Sequence, residues 1–207
     1  MYNVVEMKSD YAAAVKIARE KIEDEFVAAF QAIYPGGMVM ENLEHPSTLV
    51  ENTIVRANED IDRIYYGEGF YVILTDRPVD GNECRLRMGE LRAIYRGECR
   101  ETRLRVRSHL ANAAYHSELA MRAEKYERDP KYSGRRFYKA TWPHCLKLDG
   151  KSGTSGINID QAPHSGYRWQ VLVHRMKDSS QEIRKFAESA FDRAFGKPAA
   201  SREKGAT

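Results

Sequence analysis

The sequence predicts an α/β (α+β) protein, a small antiparallel three-stranded sheet flanked by helices, with a helical lobe placed before it. Three observations predict this. Residues 1 to 66 carry apolar side chains at intervals of three and four; two strand-like runs follow, at 69 to 75 and 91 to 97, with turn formers between them; a third run at 167 to 176 precedes one more amphipathic stretch.

The first helix opens at Ser9 or Asp10, either of which can accept from exposed amide groups of a first turn. Val15, Ala18, Ile22, Phe26, Phe30 and Ile33 lie on one face, and "YPGG" at 34 to 37 stops the helix. A second helix is predicted after Pro46, with Thr48 and Glu51 in capping-box positions and Val50, Ile54, Ala57, Ile61 and Ile64 along one side. The two form an antiparallel hairpin, an accessory lobe over residues 1–66 that covers the next domain or makes a dimer contact.

The pattern changes after Gly67. "GFYVILT" (69 to 75) is aromatic and β-branched, "LRAIYRG" (91 to 97) alternates, and Pro78, Asp80, Gly81 and Asn82 lie between them, which predicts a long hairpin. From Glu98 to about Glu127 there is neither proline nor glycine, and Leu104, Val106, Leu110, Ala113 or Ala114, and Leu119 give a helical seam. Residues 128–166 form a polar, glycine- and proline-punctuated insertion with a short strand in "RRFYKATW". "YRWQVLVHRM" (167 to 176) is the last strand, and "SSQEIRKFAESAFDRAF" (179 to 195) a capped helix ending at Gly196 and Pro198; residues 202–207 are a loose tail. The second domain thus spans 67–201.

Composition narrows the class. With 207 residues, 42% of them apolar, the chain can bury one good core. No stretch reaches the roughly 18 apolar residues of a membrane span, and the N-terminus lacks a secretion-signal layout. Three cysteines, Cys84, Cys99 and Cys145, form no C-x-x-C pair, so the expectation is a cytoplasmic protein with reduced thiols. The net charge of +3 conceals an asymmetry: residues 1–66 carry six basic and twelve acidic side chains, about −6, and the rest about +9. The basic part is where a polyanion would bind.

Within that part sits a constellation of residues suited to phosphodiester chemistry. Gly69-Phe70-Tyr71 opens one strand, Tyr95-Arg96-Gly97 closes the next, Arg105 and His109 follow ten and fourteen positions after Tyr95, and Glu188 stands on the last helix before Phe191, Phe195 and Pro198. This set resembles the GIY-YIG nuclease domain over about residues 68 to 201. The resemblance implies a metal-dependent DNA endonuclease, restriction-like in its accessory parts, with Tyr71, Tyr95, Arg105, His109 and Glu188 catalytic and Glu188 holding Mg²⁺ or Mn²⁺. Duplex DNA is the expected partner, a homodimer would let two sites cut two strands, and no membrane is involved.

The residue types make chemical sense on their own. Arg105 and His109 are four apart on a helix, so one phosphate can touch both, and a guanidinium presents a fixed fork of donors to its oxygens. A carboxylate suits a hard divalent cation. An unperturbed phenol is a poor base near neutral pH, so the role of base stays open between Tyr71, Tyr95 and His109. Arg96, Arg100, Arg103, Arg135, Arg136 and Lys139 are candidate nucleic-acid contacts, the last three in an aromatic and basic stretch with Tyr138 and Trp142.

Four features depart from the family pattern, the first being that Tyr71 and Tyr95 stand 24 apart where compact members have a much shorter hairpin. Arg96 replaces an aliphatic residue, Glu98 places an acid where it must pair with Arg100 or Arg105 or help hold metal, and a late asparagine is missing, with Ser201 nearest its place. Glu98 and the missing asparagine motivate a second reading, a GIY-YIG-like nucleic-acid-binding module with impaired catalysis; a protein-interaction domain with a basic helix is a third. His144, Cys145, His164 and His174 match no ordinary zinc spacing, and "GKSGTSG" at 150 to 156 lacks a phosphate-loop frame.

Overall fold

The computed structural model describes residues 4–40, 50–112 and 157–201. Five strands, β1 (Val50–Val55), β2 (Gly69–Thr75), β3 (Arg87–Met88), β4 (Leu91–Cys99) and β5 (Trp169–Arg175), make one antiparallel sheet in the order β1-β5-β2-β4-β3. Among the described residues the α-helices are α1 (Val4–Ile33), α2 (Thr102–Leu110) and α3 (Gln181–Phe195). The expected three strands are present as β2, β4 and β5, and two more join them.

The first addition corrects the second predicted helix: residues 50 to 55 are the edge strand β1, paired along its length with β5. Thr53, Ile54 and Val55 are β-branched, which favours a strand. Glu51 caps no helix; its carboxylate accepts from the Tyr65 amide at 2.9 Å and pairs with Arg175. A 3₁₀ segment, Asn58–Arg63, follows, its entry held by Asp60, which accepts from the amides of Arg56 and Ala57 at 2.8 and 3.1 Å. Residues 50–66 therefore belong to the sheet and its covering, with Val55, Ile61 and Ile64 buried beside Tyr71. The second addition, β3, turns back onto β4 through Gly89, whose φ of +56° suits a residue without a side chain.

β2 lies between β5 and β4 and is buried along its whole length, which explains its unbroken apolar run. One face of the sheet, with Phe70, Val72, Leu74 and Leu172, packs on Phe30 and Tyr34 at the end of α1 and on Ala187, Ala190, Phe191 and Phe195 of α3. The other, with Tyr71, Ile73, Val171 and Val173, packs on Val106 and Leu110 of α2 and on Ile157 and Ile159. Helix α1 begins earlier than Ser9, since nothing in the preceding residues breaks a helix, and residues 11 to 20 are exposed. Ser180 caps α3, its Oγ accepting from the Ile183 amide at 3.2 Å, and Gly196 ends it.

A β-bulge in β4 sets the site. Tyr95 pairs with Ile73 and Ala93 with Leu74, so Ile94 is an extra residue. Leu91 and Ala93 therefore face α1 and α3, whereas Ile94 and Tyr95 both face α2. Beyond the bulge the alternation resumes in the opposite phase. Gly97 is opposite Tyr71 on the α2 face, and Arg96 and Glu98, opposite Val72 and Phe70, turn to α3.

Beyond residue 112, the rest of the long helix expected from Glu98 to Glu127, the insertion up to 156 with its strand, and the tail 202–207 lie outside the described residues. Residues 157 to 159 close against α2, Asn112 donating to Ile157 and Ile159 to Leu110 through their amides. Among the described residues no helix is long and apolar enough to cross a membrane.

Candidate functional site

Four of the five expected catalytic residues meet on the α2 face. Tyr71 Oη and His109 Nε2 are 2.9 Å apart, a buried hydrogen bond. The Tyr95 ring lies 4.5 Å from the His109 ring and 6.0 Å from that of Tyr71, centroid to centroid. The Arg105 guanidinium hydrogen-bonds Tyr71 and acts by its charge on both phenols. One turn of α2 separates Arg105 from His109, the helical geometry the sequence spacing requires.

The motif glycines have steric reasons. A Cβ on Gly97 would fall 2.6 Å from Tyr71 Oη and 3.0 Å from a Tyr95 ring carbon, so the rings occupy the space a side chain would need. A Cβ on Gly69 would meet the His174 carbonyl oxygen at 2.8 Å, because β2 and β5 approach closely there. The N-terminus of α2 is fastened beside them: Thr102 donates to the Gly67 carbonyl through its amide at 3.0 Å and through its hydroxyl at 2.5 Å.

The electrostatics divide the labour. Burial pushes the Tyr71 phenol well above its ordinary range, the Tyr95 phenol adds to this, and Arg105 opposes it. Tyr71 is therefore a neutral phenol at physiological pH and is unsuited as a base. It is wholly buried, as is His109, whereas Tyr95 and Arg105 are only partly so and form the outer side of the group. Cys99, not foreseen at the site, borders it: its thiol is pushed by burial up to about 12, against the pull of Arg105. Only its place at the end of β4, opposite Gly69, could have signalled this.

Glu188 does not join the group. It faces Arg96, with Nη1 of the guanidinium 3.1 Å from Oε1, while Nε and Nη2 of Arg96 bond both carboxylate oxygens of Asp192 at 3.1 and 2.6 Å. Arg96, whose charge also acts on Tyr95, turns with Glu188 to the α3 side, whereas Tyr71 and Tyr95 face α2 on the other side of the sheet. Burial raises the Glu188 carboxyl above the usual carboxylate range; Arg96 pulls it down, and Glu98 and Asp192 push it further up. Glu98 pairs with neither Arg100 nor Arg105 but with buried Arg184, at 3.1 Å. Arg184, Glu188 and Asp192 form an i, i+4 ladder on α3, a charge stripe visible in the sequence whose partners on β4 were not.

This arrangement does not fit a divalent ion on Glu188, because the carboxylate is already met by a guanidinium. Among the described residues no group of three or more His, Cys, Asp and Glu side chains is placed to hold a metal. Arg96 is likewise corrected as a nucleic-acid contact: its side chain is 10% exposed and turned to α3. Arg103 donates through Nε to the Ile64 carbonyl at 2.8 Å and lies 5.8 Å from the exposed Tyr66 ring; Arg100 is exposed. Arg135, Arg136 and Lys139 lie outside the described residues. Ser201, nearest the place of the missing asparagine, accepts from the Arg96 amide at 2.9 Å through its hydroxyl. His174 is no metal ligand either but a core residue, with Nε2 2.9 Å from the Tyr34 hydroxyl.

Comparison with family models, with curated proteins and with solved structures gives no match.

Proposed function

We propose that the protein is an endonuclease hydrolysing phosphodiester bonds in DNA, duplex first, through the site formed by Tyr71, Tyr95, Arg105 and His109. The observation that carries the reading is the convergence of these four side chains from two strands and a helix, with the Tyr71–His109 hydrogen bond at its centre. Arg105 neutralises charge gathering on the phosphate oxygens. Tyr95, on the outer side, positions the attacking water, and His109, backed by Tyr71, exchanges the proton that water must lose as it bonds to phosphorus. The P–O bond on the opposite side breaks, and its oxygen leaves with a proton from solvent. Tyr71 is a positioning residue. No step is assigned to a divalent ion, since Glu188 is engaged by Arg96.

The same ion pair favours a second reading, a nucleic-acid-binding module built on this fold without cleavage. Incubating supercoiled plasmid with the protein in Mg²⁺, in Mn²⁺ and in chelator, beside Arg105→Ala and His109→Ala variants, separates the two. Nicking by the wild type that both variants lose supports the endonuclease. Salt-dependent DNA binding without nicking under any condition supports the module.

A further inference from the structure

Arg96 stands where a strand residue buried against α3 would ordinarily be apolar, and burying a guanidinium costs free energy unless it is fully paired. Here it is paired. Glu188 and Asp192, one turn apart on α3, receive it from one side, and the Ser201 hydroxyl accepts from its backbone amide on the other. Two residues on, Glu98 repeats the arrangement with the charges exchanged: its carboxylate bonds Arg184 of α3 and also accepts from the Gln181 side chain at 3.1 Å. Strand β4 and helix α3 are thus joined by three ion pairs, two with the cation on the strand and one with it on the helix.

We infer that Arg96 is the resident cation of Glu188, a built-in guanidinium that excludes a divalent metal from this carboxylate and instead uses it to fix α3 on β4. A magnesium-like ion on the same Oε1 would sit about 2 Å from it and therefore within about 5 Å of Arg96 Nη1. The guanidinium cannot swing clear without breaking both of its bonds to Asp192. The inference rests on the reading of Glu188 as the carboxylate a divalent ion would use. Its test needs neither DNA nor cleavage, so its failure and that of the endonuclease reading appear in different experiments.

The test is Mn²⁺ binding to the full chain, followed by calorimetric titration and by electron paramagnetic resonance, for wild type, Glu188→Gln, Arg96→Met and Arg96→Met/Glu188→Gln, each checked for folding by circular dichroism. The expected result is wild-type Mn²⁺ binding that Glu188→Gln leaves unchanged. Arg96→Met gains a site roughly 10-fold or more tighter, the scale on which neighbouring groups tune metal affinity, and loses it in the double variant. If the single methionine variant does not fold, Arg96→Met/Asp192→Asn, which removes one charge of each sign, takes its place. Wild-type binding that depends on Glu188 overturns the inference, and so does a folded Arg96→Met or Arg96→Met/Asp192→Asn protein that gains no site.

Discussion

The Tyr71 hydroxyl lies 2.9 Å from Nε2 of His109, a hydrogen bond between residues 38 apart in the chain that ties the central strand to the helix behind it. Both partners are buried, so replacing the phenol leaves the imidazole nitrogen without it. Tyr71→Phe is expected to lower stability by about 1–2 kcal/mol and, if the endonuclease reading holds, to reduce kcat while leaving KM unchanged. Urea unfolding and plasmid-nicking kinetics measure the two effects; a variant of undiminished stability and kcat would show that the bond does not position His109.

Arg105 offers a planar fork of donors to a phosphate, and lysine offers a single point charge. On the proposed endonuclease reading, Arg105→Ala is therefore expected to lose about 10²–10³-fold in cleavage, and Arg105→Lys to recover little of it. Equal activity in the lysine variant would mean that charge alone suffices there.

Gly97 is the residue over which Tyr71 and Tyr95 meet. Gly97→Ala would place a methyl group 2.6 Å from the Tyr71 oxygen, so the ring must move or the strand must shift. A loss of about 1–3 kcal/mol is expected, with a changed near-ultraviolet circular dichroism signal from the displaced tyrosines. An alanine variant as stable as wild type, with an unchanged spectrum, would contradict the packing described.

His174 is partly buried, its ring packed against Phe30, Phe70 and Tyr34, and desolvation lowers its pKa from 6.5 to about 4. Between those values the unfolded chain binds the proton and the folded chain does not. Stability from this residue is thus complete above about pH 6.5 and declines as the pH falls towards 4. His174→Phe should flatten this part of the profile. Urea midpoints measured from pH 7.5 to 4.5 test it, and parallel slopes for the two proteins would exclude His174 as the source.

What could be read from the sequence was local. Gly69, Tyr71, Tyr95, Arg105 and His109 occupy one strand, the next strand and the helix after it, where register within each element fixes their directions, and the four side chains among them come together. β1 was misread because Val50, Ile54, Ala57, Ile61 and Ile64 keep a helix-like spacing by coincidence: a short strand with period two runs into a 3₁₀ segment with period three. Its true partner, β5, is remote, Asn52 bonding Gln170 118 residues further on. Glu188 was placed on the right helix but not in the right company, since its contact with Arg96 depends on how α3 lies across β4.

The way Ile94 is accommodated, as a bulge and not as a paired residue, decides which way the second half of β4 points. Pair Ile94 with Ile73 and Tyr95 would lean towards Phe191 and Phe195 while Arg96 emerged beside His109, exchanging a phenol for a cation and stranding two carboxylates in an oily layer. Deleting Ile94 does no such thing: Ala93 stays opposite Leu74 and Tyr95 opposite Ile73, so both keep their faces and only the bulge is lost. The layout of these side chains thus depends on which residue the strand leaves unpaired as much as on residue chemistry.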